Sequence, residues 1–413
     1  MNFQTHIYPP IADPNCYGLK TFSQALSLIL ISREVSEIII KMHSWALTRM
    51  RALIAGHSGL NKVNLLNKLS EAVKARTGKD VFALDFDSML SRGMPYFLDS
   101  YMEKQREQWY SEFARVLDEL RESGAEHALI GMHLTYFRHN SYWSLVDLNM
   151  LKELKVNILI TLIDDAYSVW SRIVQRESRE RHGVYMRLRD VFIWRTVETM
   201  MGDTIATALG VPHYVVAIKH PIDTFYKLIF TNYPKAYLSH PITHVRRNKE
   251  AVQEIMGFAK RLREVATVFE PTTIDESIIS NVTITKEMRW PTETDLDQYP
   301  IELKKDEVEE VTARNPITKR DLIQDQIMKR DYRYIQQSDM VVAYRPNYGG
   351  TLSKGVLSEV NLAVHLGKPV YVHWSNEDGN AAENPFEYVH EYFYDVEELI
   401  KFLSERVNTR QLT

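Results

Sequence analysis

The stretch from Asp331 to Val372, DYRYIQQSDMVVAYRPNYGGTLSKGVLSEVNLAVHLGKPVYV, decides the fold. An apolar segment, Met340 to Tyr344, predicts a strand, and a polar loop with two adjacent glycines follows it. A helix is expected from about Ser353 to His365, and a second apolar strand from Pro369 to Val372. This strand–loop–helix–strand order is typical of a parallel α/β sheet, which binds ligands in the loops at the carboxyl ends of its strands.

The helix that follows this loop has residues suited to a phosphorylated ligand. Ser353 is a natural N-cap, and the free N–H groups of the first turn can bind an anion. Helical side chains lean toward the N-terminus, so Glu359 is expected to point at the same mouth, where Gly355 leaves room. The alternative is that Ser353 only caps the helix and Glu359 is a solvated surface residue.

The segment Ser353-Lys-Gly355-Val-Leu-Ser-Glu359 resembles the S-x-G-V-x-x-E pattern of the 2′-deoxynucleoside 5′-phosphate N-hydrolases, in the nucleoside 2-deoxyribosyltransferase superfamily. Asp331 lies eight residues before Asp339, as the catalytic Asp of that family does before its strand. Tyr237-Leu-Ser-His-Pro-Ile242 is similar to the first-strand Y-φ-x-G motif. The resemblance spans roughly the last 180 residues and leaves out the first half.

This resemblance implies a nucleotide N-glycosidase that hydrolyses the base–sugar bond of a (deoxy)nucleoside 5′-phosphate. Glu359 would be the nucleophile that forms a covalent glycosyl intermediate, Asp331 the proton donor to the base or the group that positions it, and Tyr237 the group that orients Glu359. The implied enzyme is an N-glycosyl hydrolase that needs no cofactor or metal. Two alternatives stay open: a nucleoside deoxyribosyltransferase, in which a second base replaces water, and an inactive nucleotide-binding sensor.

The substrate-binding residues implied by the resemblance are less uniform. Ser353 would hold the 5′-phosphate with help from Thr243, and Gly355 would leave it space. His240 replaces a small glycine and would narrow the base pocket or contact the base. Asn384 either completes a neighbouring subunit's site, which favours a homo-oligomer, or only caps a turn before a proline.

The composition bounds the remaining classes of function. The chain has 413 residues, a net charge of −4 and 45% hydrophobic residues, which is typical of a globular protein with two domains. The near balance of charges and the lack of a basic stripe argue against direct binding of nucleic acid. A single cysteine, Cys16, and the lack of a long apolar run predict a cytoplasmic protein with no membrane span.

The chain divides into three regions by pattern. Residues 1–48 form an N-terminal extension with a predicted helix over 22–50, residues 49–233 alternate apolar strands with helices, and residues 234–413 do the same around the opening stretch. A polar, acidic insertion at about 275–317 is expected to be a lid, an oligomer contact or a mobile loop. The predicted fold class is therefore α/β, a P-loop kinase-like three-layer domain followed by a Rossmann-like domain.

The loop after the first predicted strand is a degenerate phosphate-binding loop. Against the pattern G-x-x-x-x-G-K-[ST], Gly56 and Lys62 are in place, but Asn61 replaces the second glycine and Val63 the hydroxyl residue that binds Mg²⁺. The context resembles nucleotide kinases of the adenylate kinase type and implies a nucleotide bound by Gly56, Gly59 and Lys62. A nucleotide-sensing or scaffold role is favoured over an active kinase.

Overall fold

The computed structural model describes residues 49–180, 186–294, 296–378, 386 and 388–412. The predicted N-terminal helix, up to residue 48, and Asn384 lie outside these residues.

The first half is built from alternating strands and helices, as its pattern predicts. Its elements are β1 (Arg51–Ala55), α1 (Lys62–Thr77), β2 (Val81–Asp85), α2 (Phe86–Gly93), α3 (Met102–Ser123), β3 (His127–Met132), β4 (Tyr136–Arg138), β5 (Ser141–Trp143), α4 (Leu148–Leu154), β6 (Ile158–Ile163), α5 (Ala166–Glu180), α6 (Leu188–Leu209), β7 (His213–Ala217) and α7 (Ile222–Phe230). Five strands form a parallel sheet in the order β2-β3-β1-β6-β7. The short strands β4 and β5 pair with each other as an antiparallel hairpin beside this sheet.

The second half contains a second parallel sheet of five strands, in the order β14-β13-β12-β8-β9. Its elements are β8 (Lys235–Ser239), α8 (Lys249–Val265), β9 (Thr267–Phe269), β10 (Thr283–Ile284), β11 (Ile301–Glu302), α9 (Lys305–Thr312), α10 (Leu322–Gln337), β12 (Met340–Tyr344), α11 (Lys354–His365), β13 (Val370–His373), β14 (Glu391–Phe393) and α12 (Val396–Leu412). The predicted α/β class with two parallel sheets is confirmed.

One strand is shorter than its apolar run predicts. The run from Val268 to Ile274 predicts a strand, but β9 ends at Phe269 and a 3₁₀ turn follows over Pro271–Thr273. Proline has no N–H for the ladder and fixes a φ suited to the first position of a helical turn, so the strand cannot continue through residue 271.

The insertion is an ordered layer between the carboxyl edges of the two sheets. Buried Glu276 pairs with Arg195 on α6, and Asp297 and Arg289 close a buried cluster around Lys219 at the end of β7. On the other side, Arg246 after β8 pairs with Asp275 of the insertion. The sequence predicted a lid, an oligomer contact or a mobile loop for this insertion. None of these is the observed arrangement, in which the insertion contacts residues at the ends of both sheets.

The two halves also share an apolar core. One buried cluster includes Phe192 and Phe225 of the first half together with Phe269, Ile335 and Val341 of the second. Apolar side chains removed from water across such a contact stabilise the relative arrangement of the two sheets. In the part of the chain that the structure describes, no helix combines the length and apolarity that a membrane crossing needs.

Candidate functional sites

The phosphate loop keeps its shape despite the missing second glycine. Gly56 and Gly59 have positive φ values of 152° and 83°, and a Cβ at Gly59 would come within 3.0 Å of Ile173 Cγ1 on α5. Asn61, at φ 54°, adopts the left-handed conformation that asparagine tolerates better than most residues. Asn61 therefore meets the conformational demand for which the pattern uses glycine.

A buried polar cluster stands behind this loop. Lys62 donates from Nζ to the carbonyl oxygen of Gly56 at 2.7 Å and lies 3.3 Å from Oδ2 of Asp87. Nδ1 of His133, the residue after β3, lies 3.2 Å from the other oxygen of Asp87. These groups come from the ends of three neighbouring parallel strands, where such sheets place their ligand-binding residues.

Burial sets the protonation of this cluster. Removal from water raises the pKa of Asp87 to about 7, although the adjacent Lys62 ammonium pulls it down. Burial also lowers the pKa of His133 well below its usual range, and the positive charge of Lys62 lowers it further. At neutral pH the cluster thus holds a carboxyl near its midpoint beside a neutral imidazole, an arrangement suited to accepting a proton.

The cluster opens into a cavity of about 750 Å³. Its walls come from the phosphate loop, from the segment after β2 and from the hairpin β4–β5. The segment after β2 contributes the apolar side chains of Leu90, Met94 and Phe97. Arg138 of β4 lines the third wall and donates two hydrogen bonds of 2.7 Å to Asp99 in the second. The volume is ample for the phosphates of a nucleotide and a small second molecule, since small-molecule sites span roughly 300–1,000 Å³.

The loop does not supply the magnesium ligand of the full pattern. Val63, which takes the place of the hydroxyl residue, is 44% exposed and has no donor atom for a metal. The residues present therefore do not fit the magnesium site of an intact phosphate loop.

In the second half, the structure brings Glu359 together with Tyr237. Tyr237 Oη donates to Oε1 of Glu359 at 2.9 Å, and the hydroxyl of Ser239 donates to Oε2. Tyr237 and Ser239 are two residues apart on β8, so they project to the same face of the sheet, toward α11. The predicted contact between Tyr237 and Glu359 is present.

The carboxyl group of Asp331 interacts electrostatically with that of Glu359. Burial, and then the negative charge of Asp331, raise the pKa of Glu359 to about 8 against the opposing effect of the two hydroxyl groups. Burial also raises the pKa of Asp331, against the opposing effect of Arg330, which donates to it from Nη2 at 2.8 Å. Two neighbouring carboxyl groups thus share fewer than two charges at neutral pH.

The remaining predicted residues have mixed surroundings. Ser353 caps α11 as predicted, accepting a hydrogen bond from Val356 N at 3.4 Å. Gly355 and Thr243 are exposed. His240 is buried, its ring lies 5.3 Å from that of Trp290 in the insertion, and burial lowers its pKa to about 4. His240 is therefore neutral and packed against the insertion.

Sequence reasoning missed several of these residues. His133 gave no motif, and only its position directly after an apolar strand could have suggested it. Ser239 lies two residues after Tyr237 on the same strand face, and this spacing could have indicated its contact with Glu359. Nothing adjacent to Arg246 in the sequence indicates its ion pair with Asp275, because the insertion, 29 residues further on, supplies the buried carboxylate.

No protein-family model matches this sequence. No curated protein matches it either. Among solved structures it is similar to a candidate kinase from Chloroflexus aurantiacus, with 15% identity, a TM-score of 0.29, and coverage of 44% of this chain and 93% of that one. Shikimate kinase from Acinetobacter baumannii in complex with shikimate shows 16% identity and a TM-score of 0.27, over 42% of this chain and 86% of that one.

A third similar structure belongs to the PezAT chromosomal toxin–antitoxin system of Streptococcus pneumoniae, at 14% identity and a TM-score of 0.28, over 53% of this chain and 87% of that one. Two of the three proteins are named as kinases, and none is named as an N-glycosyl hydrolase. The predicted enzyme class, an N-glycosyl hydrolase, is therefore wrong. None of the three is named as a member of the deoxyribosyltransferase superfamily.

Proposed function

We propose that the first half binds a nucleoside triphosphate on the loop from Gly56 to Val63 and transfers its terminal phosphoryl group to a hydroxyl of a small molecule. The observation that carries this proposal is the position of Asp87, a buried carboxyl with a pKa of about 7, 3.3 Å from Lys62 in the cavity behind the loop.

The proposed step uses three groups of this chain. The hydroxyl oxygen of the acceptor attacks the terminal phosphorus, its proton passes to Asp87, and the bond from phosphorus to the bridging oxygen breaks to release a nucleoside diphosphate. Lys62 exchanges its contact with Asp87 for the phosphate oxygens and offsets their charge. The N–H groups at the start of α1 hold the same phosphates.

The chemistry of the cavity supports an acceptor beside Asp87. A general base works best when its pKa is close to the working pH, and burial brings Asp87 to that range. The wall with Leu90 and Phe97 offers apolar surface for the body of the acceptor. Since Val63 supplies no metal ligand, Lys62 carries the charge compensation in the loop, and turnover is expected to be slow.

The test measures ATP binding by calorimetry and ADP release with a panel of small molecules that carry hydroxyl groups. Asp87→Asn should keep ATP binding and lose transfer at least 100-fold, while Lys62→Ala should lose binding at least 10-fold. Lys68→Ala on the exposed face of α1 and Asp80→Asn at an exposed site before β2 are the matched controls. ATP binding without transfer to any acceptor would favour the sensor alternative, and an active Asp87→Asn would exclude Asp87 as the base.

A second candidate function concerns the second half, where Glu359 is held by two hydroxyl groups beside Asp331. We propose deoxyribosyl transfer between bases at this site. Ionised Glu359 attacks the anomeric carbon and the base leaves with a proton from Asp331; a second base then displaces Glu359 and gives its N–H proton back to Asp331. The raised pKa of Asp331 supports its role as proton donor. Because the pKa of Glu359 is also raised, the fraction of Glu359 in the ionised, nucleophilic form increases as the pH rises.

Base exchange tests this second candidate. A deoxynucleoside 5′-phosphate would be incubated with an isotopically labelled free base, and label in the nucleotide would be measured between pH 6 and 9. Exchange should rise with pH and vanish in Glu359→Gln, with Glu250→Gln on α8 as an exposed control. Exchange that persists in Glu359→Gln, or no exchange at any pH, would remove this candidate.

A further inference from the structure

A second cavity lies between α5 and the insertion. It measures about 330 Å³ and is lined by side chains of both halves of the chain. Ser171, Arg172 and Gln175 of α5 form one wall, and Leu296 and Ile301 of the insertion contribute to the other.

This cavity adjoins the one that holds the phosphate loop. Arg176 of α5 lines both cavities. One face of α5, with Val169 and Ile173, packs on the phosphate loop at Gly59. The second cavity is lined by a neighbouring face with Ser168, Arg172 and Gln175, about a quarter turn away, because each residue turns a helix by about 100°. The two cavities therefore have Arg176 in common and lie on adjacent faces of α5.

The polar groups in the second cavity are placed for an uncharged hydrogen-bonding ligand. Arg172 is bound to Asp164 and donates from Nε to Ser168 O at 3.1 Å, and its buried Nη1 forms an ion pair with Oδ1 of Asp297 at 3.7 Å but makes no hydrogen bond to the described residues. The Gln175 amide donates to Ser171 Oγ at 3.1 Å, and its side chain is exposed. A buried donor without a hydrogen bond is costly, and a ligand acceptor atom at Nη1 would relieve that cost.

We infer that this cavity receives the ribose and base of the nucleoside triphosphate whose phosphates lie on the loop from Gly56 to Val63. The inference rests on the proposed function of the first half. Leu296 and Ile301 provide apolar contact for the flat ring, while Arg172 Nη1 and the Gln175 amide meet its polar edge or the ribose. Half of the base pocket then belongs to the insertion, so the nucleotide contacts both halves of the chain at once.

The experiment compares nucleoside triphosphates with inorganic tripolyphosphate, which has phosphates but no base, by calorimetry on the full chain. The tightest of ATP, GTP, CTP and UTP should bind at least 10-fold more tightly than tripolyphosphate. Ser171→Trp, which fills the cavity, should remove that advantage and leave tripolyphosphate binding within 2-fold of wild type. Ser111→Trp, on the exposed face of α3, is the matched control and should change neither affinity.

The two proposals fail in distinguishable ways. The base pocket is overturned, and the phosphate site stands, if the wild type binds tripolyphosphate as tightly as it binds every nucleoside triphosphate. The same conclusion follows if Ser171→Trp binds the nucleoside triphosphate with wild-type affinity. If the wild type binds neither, both proposals fall. If Ser171→Trp binds neither ligand, the substitution has disturbed the helix, and Gln175→Trp at an exposed position is measured instead. Weaker binding of the nucleoside triphosphate alone would support the base pocket, and wild-type affinity for it would overturn the pocket.

Discussion

Arg195 of α6 and Glu276 of the insertion form a buried ion pair, with Nη1 to Oε1 at 2.7 Å and Nη2 to Oε2 at 3.2 Å. The pair joins the two halves of the chain at the edge where both sheets end. Glu276 also accepts from the backbone N of Ala166, the first residue of α5. The insertion is thus attached to the helix that packs on the phosphate loop.

Removing one partner of this pair should destabilise the protein strongly. Arg195→Met leaves the Glu276 charge buried without its partner and is expected to cost about 3–5 kcal/mol of unfolding free energy. Arg189→Met, on the same helix but exposed, should cost less than about 1 kcal/mol. Urea unfolding followed by circular dichroism measures both, and a loss below 1 kcal/mol for Arg195→Met would contradict the bridging role of the pair.

A methyl group at Gly59 should distort the phosphate loop. Gly59→Ala combines a positive φ of 83° with a contact of 3.0 Å to Ile173, so it should cost roughly 1–3 kcal/mol and weaken ATP binding. Gly257→Ala on α8 has no atom within 4 Å of the added Cβ and should stabilise by roughly 0.5–1 kcal/mol. Equal stabilities for the two variants would contradict the strain at Gly59.

Phosphoryl transfer should depend on pH through Asp87. Because burial raises the pKa of Asp87 to about 7, its base form falls tenfold for each pH unit well below 7 and saturates well above it. The value of kcat/KM for the acceptor should therefore rise with pH and level off near pH 8. A profile that is flat between pH 5.5 and 8 would show that another group accepts the proton.

The hydroxyl of Tyr237 should lower the pKa of Glu359. In Tyr237→Phe the ionised carboxylate loses a donor at 2.9 Å, so the pKa of Glu359 should rise further above its value of about 8. Carboxyl carbon NMR titration of labelled protein measures the shift, with Tyr332→Phe on α10, a half-buried tyrosine whose hydroxyl pairs with Ser358, as control. An unchanged or lower pKa would mean that this hydrogen bond does not favour the charged form.

The same carboxyl should make stability depend on pH. Glu359 has an ordinary pKa of 4.5 in an unfolded chain and about 8 in the fold, so between these values the folded state holds a proton that the unfolded state has released. Its contribution to the unfolding free energy therefore falls as the pH rises, by at most about 1.4 kcal/mol per pH unit. Glu359→Gln should flatten the curve over this range, and an unaltered slope would argue against the raised pKa.

Local sequence patterns predicted most of the secondary structure. The bounds of the helix Met102–Ser123 follow from local sequence, because its apolar positions recur at helical spacing and Gly124 ends it. The cap at Ser353 was predicted for the same local reason. The contact from Tyr237 to Glu359 crosses 122 positions of sequence, and it was predicted only through the family resemblance.

The surroundings of the site residues could not be read from the sequence. Nothing local distinguishes Asp87 from Asp85, yet only Asp87 lies between Lys62 and His133. The pKa values of Asp87 and Glu359 depend on burial by distant segments, which a pattern of adjacent residues does not contain.

The sequence alone determined the two parallel sheets, the phosphate loop with its missing hydroxyl, and the helix that presents Glu359, because these follow from periodicity and from the conformational preferences of neighbouring residues. Tertiary structure alone decided that the polar insertion lies between the sheets and forms half of a cavity beside the phosphate loop. From sequence, the charged residues of the insertion would be expected on the surface. Their burial is compensated by opposite charges on α6 and at the ends of β6 and β7, which only the tertiary structure brings next to them.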